Sequence, residues 1–289
     1  MKNDRLLISF SGGETSAYMT QRLIKEYGST CEIIVLFANT GQEAEETLEF
    51  VKKCDEKFNL NTIWVEAKVN PIAGKGTQPK IVDFWDASRN GEPFRDVIKK
   101  YGIPNRGNPV CTRELKISPM KNYMRSIGWN KNQYTTAIGI RVDELDRQRE
   151  DAETENIIYP LIDWNIDKPA INKFWENQDF RLNLKSWEGN CKTCWKKSNR
   201  KLYQIAQDHP EWFDFFAEME FLYSGFTPKN KAKSKGKKSN YLFFSRDRDV
   251  TQILSEAYEK DFDTPTDDRL LFDDFLDSAP SCTESCEAY

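Results

Sequence analysis

Leu6-Leu-Ile-Ser-Phe-Ser-Gly-Gly-Glu-Thr-Ser-Ala-Tyr-Met19 is the stretch that decides the fold of this chain. The apolar run at its start is typical of a buried strand, and a helix-compatible segment opens at Thr15 and Ser16. Between them, Gly12 and Gly13 permit a tight turn that brings bare backbone N–H groups up to a ligand. The start of the helix adds unpaired donors and the positive end of its dipole. The junction is therefore predicted to bind an anion, most often a phosphate.

The spacing of the glycines in this turn excludes two common types of phosphate-binding loop. Neither G-x-G-x-x-G nor G-x-x-x-x-G-K-[ST] occurs, because Gly76 separates Lys75 from Thr77 in the nearest candidate. The sequence Ser11-Gly12-Gly13-x-Thr15-Ser16 instead resembles the PP-loop, S-G-G-x-[DT]-S, of the adenine nucleotide alpha-hydrolase-like superfamily. That superfamily includes phosphoadenosine-phosphosulfate (PAPS) reductases, ATP sulfurylase small subunits and tRNA thiolation enzymes. The alternative interpretation is an ordinary tight strand-to-helix turn.

Strand-like and helical segments alternate in the first half of the chain. Buried strands are predicted at Leu6–Phe10, Glu32–Phe37, Thr62–Glu66 and Tyr134–Gly139. Helices are predicted at Thr15–Tyr27, around Leu48, Val51 and Phe58, and at Pro119–Ile127. Strands separated by such helices imply right-handed parallel crossovers, so the predicted fold is α/β with a doubly wound, Rossmann-like parallel sheet. Ligands of such sheets bind beyond the carboxyl ends of the strands, where Ser11, Asn39 and Gly139 fall.

The second half of the chain differs in composition. Residues 70–110 are rich in Pro and Gly and are predicted to form an irregular insertion. After about Asp163 the sequence favours helices, at Ala170–Phe180, Lys197–His209 and Glu211–Leu222. We therefore expect a PP-loop nucleotide-binding domain over 1–165, a mainly helical region with a C-x-x-C over 166–260, and an acidic tail over 261–289.

Bulk properties limit the classes of function. The 289 residues are 30% charged, with a net charge of -4 and a mean hydropathy of -0.73. This charge argues against a protein-wide attraction for nucleic acid, although Lys229–Lys238 forms either a solvated loop or a local nucleic-acid contact. No apolar run approaches membrane-spanning length, and the first ten residues lack the features of a signal peptide. We expect a cytoplasmic protein without a membrane partner.

Seven cysteines occur, and their odd number without an export signal argues against a disulfide scaffold. Cys191 and Cys194 form a C-x-x-C on a turn, a usual setting for a metal knuckle. A second C-x-x-C is missing from the sequence. The remaining candidates for further ligands are Cys111, Cys282 and Cys286.

Further motifs follow in the order found in the PAPS reductase family. Its members carry Cys-Thr-x-x-Leu-Lys or Cys-Cys-x-x-Arg-Lys, then Pro, then Gly-Ile-Arg-x-x-Glu, Tyr-Pro-Leu-x-x-Trp and a C-x-x-C. This chain has Cys111–Lys116, Pro119, Gly139–Glu144, Tyr159–Trp164 and Cys191–Cys194. The chain therefore resembles that family, and most closely its phage-encoded and DNA-phosphorothioation branches, whose loop also reads Ser-Gly-Gly-x-Thr-Ser.

The resemblance implies a metal centre on Cys111, Cys191 and Cys194. In cluster-bearing members of the family, cysteines at these positions hold a [4Fe–4S] cluster. Thr112 stands where adenylylsulfate reductases have a second adjacent cysteine. Three thiolates imply one open iron, as in tRNA thiolation enzymes, unless a cysteine of the tail supplies the fourth ligand. By spacing and ligand type alone, zinc and thiols that bind no metal remain open alternatives.

Charged residues of the same motifs suit a nucleotide phosphate or sulfate. The resemblance implies catalytic roles for Arg113, Lys116, Arg141 and Glu144, which supply guanidinium forks, an ammonium and a carboxylate. It implies phosphate binding by the loop residues Ser11, Gly12, Gly13, Thr15 and Ser16. Adenine is expected near Phe37, Asn39, Thr40 and Gly139. Glu14, at a position where relatives often carry a basic residue, is expected to reach a Mg²⁺ ion.

The leading hypothesis is a PP-loop enzyme that binds ATP, adenylates a substrate oxygen and transfers sulfur held at an iron–sulfur cluster. The second is a reductase of PAPS or adenylylsulfate, although the tail lacks the Glu-Cys-Gly segment of PAPS reductases. The third is a nucleotide- or nucleic-acid-binding protein that has lost turnover. The sulfur acceptor is expected to be tRNA, DNA or a small molecule. A sulfur-donor protein and a second copy of the chain are further candidate partners.

Overall fold

A six-stranded sheet forms the centre of the protein, with the strand order β4-β3-β2-β1-β5-β6. The computed structural model describes residues 3–72, 74–189, 191–226, 241–244 and 248–271. Neighbouring strands are parallel except β4, which runs antiparallel to β3. The strands are β1 (Arg5–Ser9), β2 (Glu32–Asn39), β3 (Ile63–Lys68), β4 (Gln78–Val82), β5 (Thr135–Ile138) and β6 (Ile157–Ile158). The predicted α/β fold with a parallel-dominated sheet is confirmed.

The helices of the described residues connect and cover this sheet. They are α1 (Glu14–Tyr27), α2 (Glu45–Phe58), α3 (Glu92–Tyr101), α4 (Ser118–Ser126), α5 (Pro160–Asp163), α6 (Lys168–Glu176), α7 (Asn199–Asp208), α8 (Asp214–Tyr223) and α9 (Val250–Glu259). A π-helical turn at Thr112–Ile117 leads directly into α4, and short 3₁₀ segments lie at Val142–Arg147, Pro210–Phe213 and Asp268–Leu270. Within the described ranges, no helix has the length and apolarity needed to cross a bilayer.

The prediction that residues 70–110 are irregular is wrong, because β4 and α3 lie in this range. β4 contains Pro79 and polar side chains, which hide its strand character, but an edge strand tolerates them. α3 begins after Gly91, which has a φ of +77°, and carries Pro93 in its first turn. The Gly and Pro that indicated a loop therefore mark the start of a helix.

Both faces of the sheet are covered, as parallel strands require. Leu6 and Ile8 of β1 are fully buried in one core cluster, together with side chains of α1 and α2. Leu7, which points to the opposite face, packs with Met120 and Met124 of α4. The unbroken apolar run of β1 is thus explained by burial on two sides.

The C-terminal helices pack against two different parts of the sheet domain. Trp175 of α6 is 1% exposed, shares the core of β1 and α1, and donates from Nε1 to the carbonyl of Glu14 at 3.0 Å. α7, α8 and α9 form a separate apolar cluster with α3, centred on Phe213 and Phe216. The domain division at residue 166 remains a prediction. The run Lys229–Lys238, Cys282, Cys286 and tail residues 272–289 lie outside the described residues.

Candidate functional site

The turn between β1 and α1 is built so that only glycine fits at its centre. Gly12 has a φ of +82°, and a Cβ atom there would lie 2.8 Å from Cγ2 of Thr47 and 3.0 Å from Cε2 of Phe37. Gly13 is the N-cap of α1, and no side chain within the described residues caps this helix start. The first-turn N–H groups are therefore left for a ligand or solvent, as expected of an anion-binding loop.

Two serines hold the loop in this shape. The hydroxyl groups of Ser11 and Ser16 lie 2.8 Å apart, and the Ser16 hydroxyl donates to the carbonyl of Gly13 at 3.0 Å. The backbone N–H of Ser11 donates to the same Ser16 hydroxyl at 3.2 Å. The serines of the motif thus fix the backbone as well as supplying polar groups near a ligand.

Arg141, just beyond β5, reaches across to this loop. Its Nη1 donates to the Thr15 hydroxyl at 3.1 Å, while its Nε and Nη2 each lie 2.9 Å from the Asp143 carboxylate. The Arg141 side chain is 9% exposed, and the Glu144 carboxylate lies 3.3 Å from Nη1. Burial acts to lower the pKa of Arg141, but the charges of Glu144 and Asp143 outweigh it and the net shift is upward. The guanidinium is therefore a fixed, permanently charged fork.

Gly139 allows this approach of β5 to α1. A Cβ atom on Gly139 would lie 3.2 Å from Cα of Ser16, which is tighter than ordinary packing. The strand end can therefore lie directly against the first turn of the helix. Glu144 supports the arrangement by accepting from the backbone N–H of Arg141 at 3.3 Å and by pairing with Arg147.

These groups line a cleft of about 190 Å³ at the carboxyl edge of the sheet. The loop residues Ser11, Gly13 and Thr15 form one side, together with Gly139 and Arg141. Among the described residues, three carboxylates line the cleft against seven basic side chains: Arg141, Arg147, Lys168, Lys185, Lys197, Lys201 and Arg269. Such a concentration of positive charge, focused in a cleft, favours an anionic ligand.

Several of the basic groups are held in place by carboxylates. Lys168 lies 3.3 Å from Asp268, and Lys185 lies 2.9 Å from Asp208, which raises the pKa of Lys185. Glu14, expected to reach a Mg²⁺ ion, instead has both carboxylate oxygens in contact with Arg181, at 2.9 and 3.0 Å. The Glu14 side chain is 5% exposed, so this ion pair ties the loop to the segment after α6.

The residues predicted to contact adenine lie apart from one another. Gly139 lines the cleft, whereas Phe37 is 1% exposed and packs beneath Gly12 against the ring of Trp64. Asn39 is fully buried and donates to Glu66 at 2.7 Å and to the carbonyl of Ser88 at 2.9 Å. Phe37 therefore supports the loop from below, whereas Asn39 ties the end of β2 to Glu66 and Ser88, and the contact of either with adenine stays a prediction.

Arg113 and Lys116 lie on the π-helical turn before α4. The Arg113 side chain is 60% exposed and lies 2.7 Å from the Glu114 carboxylate. Lys116 is buried and lines a second pocket, which also contains Thr40 and all three candidate metal ligands. Of the four predicted catalytic residues, the structure thus brings Arg141 and Glu144 to the cleft and Lys116 to this second pocket.

This second pocket, called the cysteine pocket below, is lined by Cys111, Cys191, Cys194, Thr40, Phe94, Thr112, Leu115, Lys116, Trp195 and Phe216. Backbone pairing brings the C-x-x-C to the end of β2. Cys191 forms an antiparallel bridge with Glu43, and the N–H of Lys192 donates to the carbonyl of Gln42 at 2.9 Å. The segment of Cys111 reaches the pocket from the start of the π-helical turn.

One feature of the cysteine pocket favours a bound ligand, whereas the placement of its cysteines does not form a metal site. Three buried donors beside the cysteines have no hydrogen-bond partner among the described residues: the hydroxyls of Thr112 and Thr193 and the indole N–H of Trp195. Buried donors of this kind usually have an acceptor, and thiolate or sulfide sulfur would supply one. However, no three His, Cys, Asp or Glu side chains of the described residues are placed so as to hold a metal ion together.

The sequence motifs do not predict most of the basic residues that line the cleft outside the phosphate loop. Lys168, Lys185 and Arg269 belong to none of the motifs, and folding alone brings them beside Arg141. Lys197 had a weak signal, since it follows the C-x-x-C closely. Arg147 lies three residues after Glu144, on the same 3₁₀ segment.

The Ser-Gly-Gly-x-Thr-Ser loop at the first crossover of an α/β sheet, with a basic cleft beyond the strand ends, is typical of PP-loop proteins. The match of a family model makes the assignment specific. The phosphoadenosine phosphosulfate reductase domain model matches residues 5–183, and the chain belongs to this family. The matched range runs from β1 through α6 and includes Cys111 but not the C-x-x-C.

Three relatives show how widely this type of chain occurs. An uncharacterized nin region protein, ORF290 of Escherichia phage lambda, is 28% identical over 98% of this chain and 94% of its own length. This similarity agrees with the predicted phage-encoded branch. The uncharacterized protein MJ0973 of Methanocaldococcus jannaschii is 24% identical over 75% of this chain, which covers 48% of the relative. MJ0066 of the same archaeon is 27% identical over 41% of this chain and 19% of its own length.

Proposed function

We propose that this protein is a PAPS reductase-like enzyme that binds ATP in the cleft and adenylates a substrate oxygen for sulfur transfer. The observation that carries the proposal is the position of Arg141 over the uncapped start of α1, inside a cleft rich in basic side chains. Backbone donors and a fixed guanidinium together suit the phosphates of a nucleotide.

The chain's own residues would act mainly by binding and orientation. The N–H groups at the start of α1 and the Arg141 fork would hold the phosphates, with Asp143 and Glu144 keeping the fork in place. Mg²⁺ would arrive on the phosphates of ATP as part of the substrate, because the carboxylate of Glu14 is engaged by Arg181. This arrangement would stabilise charge on the departing pyrophosphate.

The proposed reaction has two steps. The acceptor oxygen forms a bond to the α-phosphorus of ATP as the bond to the pyrophosphate oxygen breaks. A sulfur nucleophile at the oxidation level of hydrosulfide then bonds to the acceptor atom, and the acceptor oxygen leaves with AMP. The acceptor (tRNA, DNA or a small molecule) and a sulfur-donor protein remain part of the proposal, as does a homodimer.

The cysteine pocket fits a thiolate-held group by the chemistry of its donors. Cys111, Cys191 and Cys194 would hold the metal, and the buried donors of Thr112 and Trp195 in the pocket wall would find acceptors on sulfur, as would the hydroxyl of Thr193 between the two cysteines of the C-x-x-C. When bound, a [4Fe–4S] cluster supplies sulfur or electrons, whereas Zn²⁺ would fix the fold of the loop. Lys116 lies in the wall of this pocket.

Calorimetry with ATP and Mg²⁺ tests the nucleotide site directly. We expect the wild-type protein to bind ATP, and Arg141→Gln to bind it at least 10-fold more weakly because the fixed fork is lost. Arg149→Gln is the matched control, since this arginine pairs with Asp151 outside the cleft. Equal affinity of the wild type and Arg141→Gln, or no heat with any adenosine phosphate, would contradict the proposal.

Product analysis separates the three candidate activities. Release of pyrophosphate from ATP, with an acceptor extract and hydrosulfide present, supports adenylation. Release of sulfite from PAPS or adenylylsulfate with a thiol donor, and without ATP, indicates a sulfonucleotide reductase. Tight nucleotide binding with neither product indicates a binding protein without turnover.

Metal analysis tests the cysteine pocket. After anaerobic purification we expect iron and sulfide in the wild-type protein and their loss in Cys191→Ala. Cys31→Ala is the control, because Cys31 lies at the opposite end of β2 from the pocket. Stoichiometric zinc without iron would exclude a cluster-held sulfur.

A further inference from the structure

Lys197 connects the two pockets of this protein. Its side chain is 5% exposed, and it lines the basic cleft. Its Nζ donates to the carbonyl of Trp187 at 2.6 Å and to the carbonyl of Lys192 at 3.1 Å. Trp187 belongs to the wall of the cleft, whereas Lys192 lies between the two cysteines of the C-x-x-C.

The backbone of Lys197 strengthens this connection. Its N–H donates to the carbonyl of Cys194 at 2.9 Å, and the N–H of Cys194 donates to the carbonyl of Cys191 at 3.3 Å. The turn that carries the cysteines is thus bonded to Lys197 from both the side chain and the main chain. A movement of the ammonium toward an anion would therefore change the bonds that shape this turn.

We propose that Lys197 is a positioning residue that couples occupancy of the cleft to the conformation of the C-x-x-C turn. An ammonium bonded to carbonyls in a buried site is attracted by an incoming phosphate, because the local dielectric is low. The carbonyls of Trp187 and Lys192 would move with it, which would order the turn when nucleotide is bound. This inference rests on the proposed function, since it requires an anionic nucleotide in the cleft.

Hydrogen exchange of the full-length protein, with and without ATP and Mg²⁺, tests the coupling. The readout is the exchange rate of amides in residues 191–197, which include the bonded N–H groups of Lys192, Cys194 and Lys197. We expect saturating ATP to slow this exchange at least 5-fold in the wild-type protein, as is typical of coupled sites. Amides of α9, whose residues line neither the cleft nor the cysteine pocket, serve as the internal reference.

Two variants separate coupling from direct coverage by the ligand. Lys197→Met keeps the length of the side chain but removes its donors, and we expect ATP to bind without slowing exchange in residues 191–197. Lys173→Met is the control, because Lys173 lies on α6 and lines neither the cleft nor the cysteine pocket. In this variant the slowing by ATP should persist.

The outcomes distinguish the coupling from the proposed function. If ATP binds to the wild-type protein but exchange in residues 191–197 changes less than twofold, the coupling is wrong and the nucleotide site stands. If Lys197→Met retains the full slowing, the coupling does not run through Lys197 and the inference is likewise wrong. If calorimetry detects no nucleotide binding to the wild-type protein, both proposals fall. Should Lys197→Met fail to fold, the absence of slowing in the wild-type protein still overturns the coupling.

Discussion

The phosphate loop and the cysteine pocket lie on the same edge of one sheet, but they are built in different ways. The loop is formed by neighbouring residues of a single strand–turn–helix unit, from Ser11 to Ser16. The cysteine pocket collects Thr40, the segment of Cys111 and the C-x-x-C turn, which are far apart in the sequence. A local site depends on backbone conformation at a few positions, whereas an assembled site depends on the packing that brings its parts together.

The largest effect is expected at the local site, from Gly12→Ala. Alanine at a φ of +82° is strained, and its Cβ would overlap the Thr47 methyl group at 2.8 Å. We expect the free energy of unfolding to fall by about 3 kcal/mol and nucleotide binding to be lost, because backbone strain and steric overlap add. Chemical denaturation and calorimetry with ATP measure the two effects.

Gly74→Ala is the matched control for this substitution. Gly74 has a φ of +80°, nearly that of Gly12, but a Cβ atom there would meet no atom of the described residues within 4 Å. The free energy of unfolding should therefore fall by only about 1 kcal/mol, from backbone strain alone, and ATP binding should be unchanged. Equal losses at both glycines would mean that the packing beneath the loop does not constrain it.

The sequence is informative in the first region because strand, turn and helix are contiguous there. Leu6–Ser16 contains the apolar run, the glycines and the serines that the structure uses, so the loop and the parallel pairing around it could be predicted. The serine motif gave no indication of Lys185 or Arg269, which reach the cleft only through the packing of the C-terminal segments. Arg141 was found because it stands at a strand end within a recognisable motif.

Edge elements were the hardest to predict. β4 has the weak apolar pattern of a strand at the margin of the sheet, and β6, at the other margin, has only two residues. For Phe37 and Asn39, the position at a strand end predicts a ligand contact, but it cannot distinguish a side chain above the sheet edge from one that is buried beneath it. Tertiary packing decides that choice.

The second-largest effect is expected in the assembled region, at Glu220 of α8. Its buried carboxylate accepts from the N–H groups of Phe243 and Val250 at 2.9 and 2.8 Å, which joins α8 to the start of α9. Burial, partly offset by these two hydrogen bonds, raises the pKa of Glu220 to about 7. A raised carboxyl pKa means that the folded state holds the proton more tightly than the unfolded state.

The stabilising contribution of protonated Glu220 is therefore present below about pH 4.5 and is lost as the pH rises through 7. We expect the wild type to lose up to about 3 kcal/mol relative to Glu220→Gln over this interval. Urea denaturation of both proteins at pH 4.5, 6 and 8 measures the difference. The phosphate loop should not contribute to this difference, so ATP affinity in the two proteins should follow the same pH dependence. A pH-independent difference in stability would show that Glu220 titrates normally.

The smallest effect, and the sharpest test of the cysteine pocket, concerns the hydroxyl of Thr193. This residue is fully buried between Cys191 and Cys194, and its hydroxyl has no hydrogen-bond partner among the described residues. A buried hydroxyl without a partner costs free energy, so Thr193→Val should raise the free energy of unfolding of the metal-free protein by about 1 kcal/mol.

Thr20→Val is the control, because the Thr20 hydroxyl donates to the Ser16 carbonyl at 2.7 Å, and this substitution should lower the free energy of unfolding by about 0.5–1 kcal/mol. With Zn²⁺ or iron and sulfide supplied, the gain at Thr193 should shrink or reverse, because the hydroxyl then has sulfur to bond. A loss of stability in the metal-free Thr193→Val protein would mean that the pocket satisfies this hydroxyl without a bound group, and the case for a thiolate-held ligand would lose its structural support.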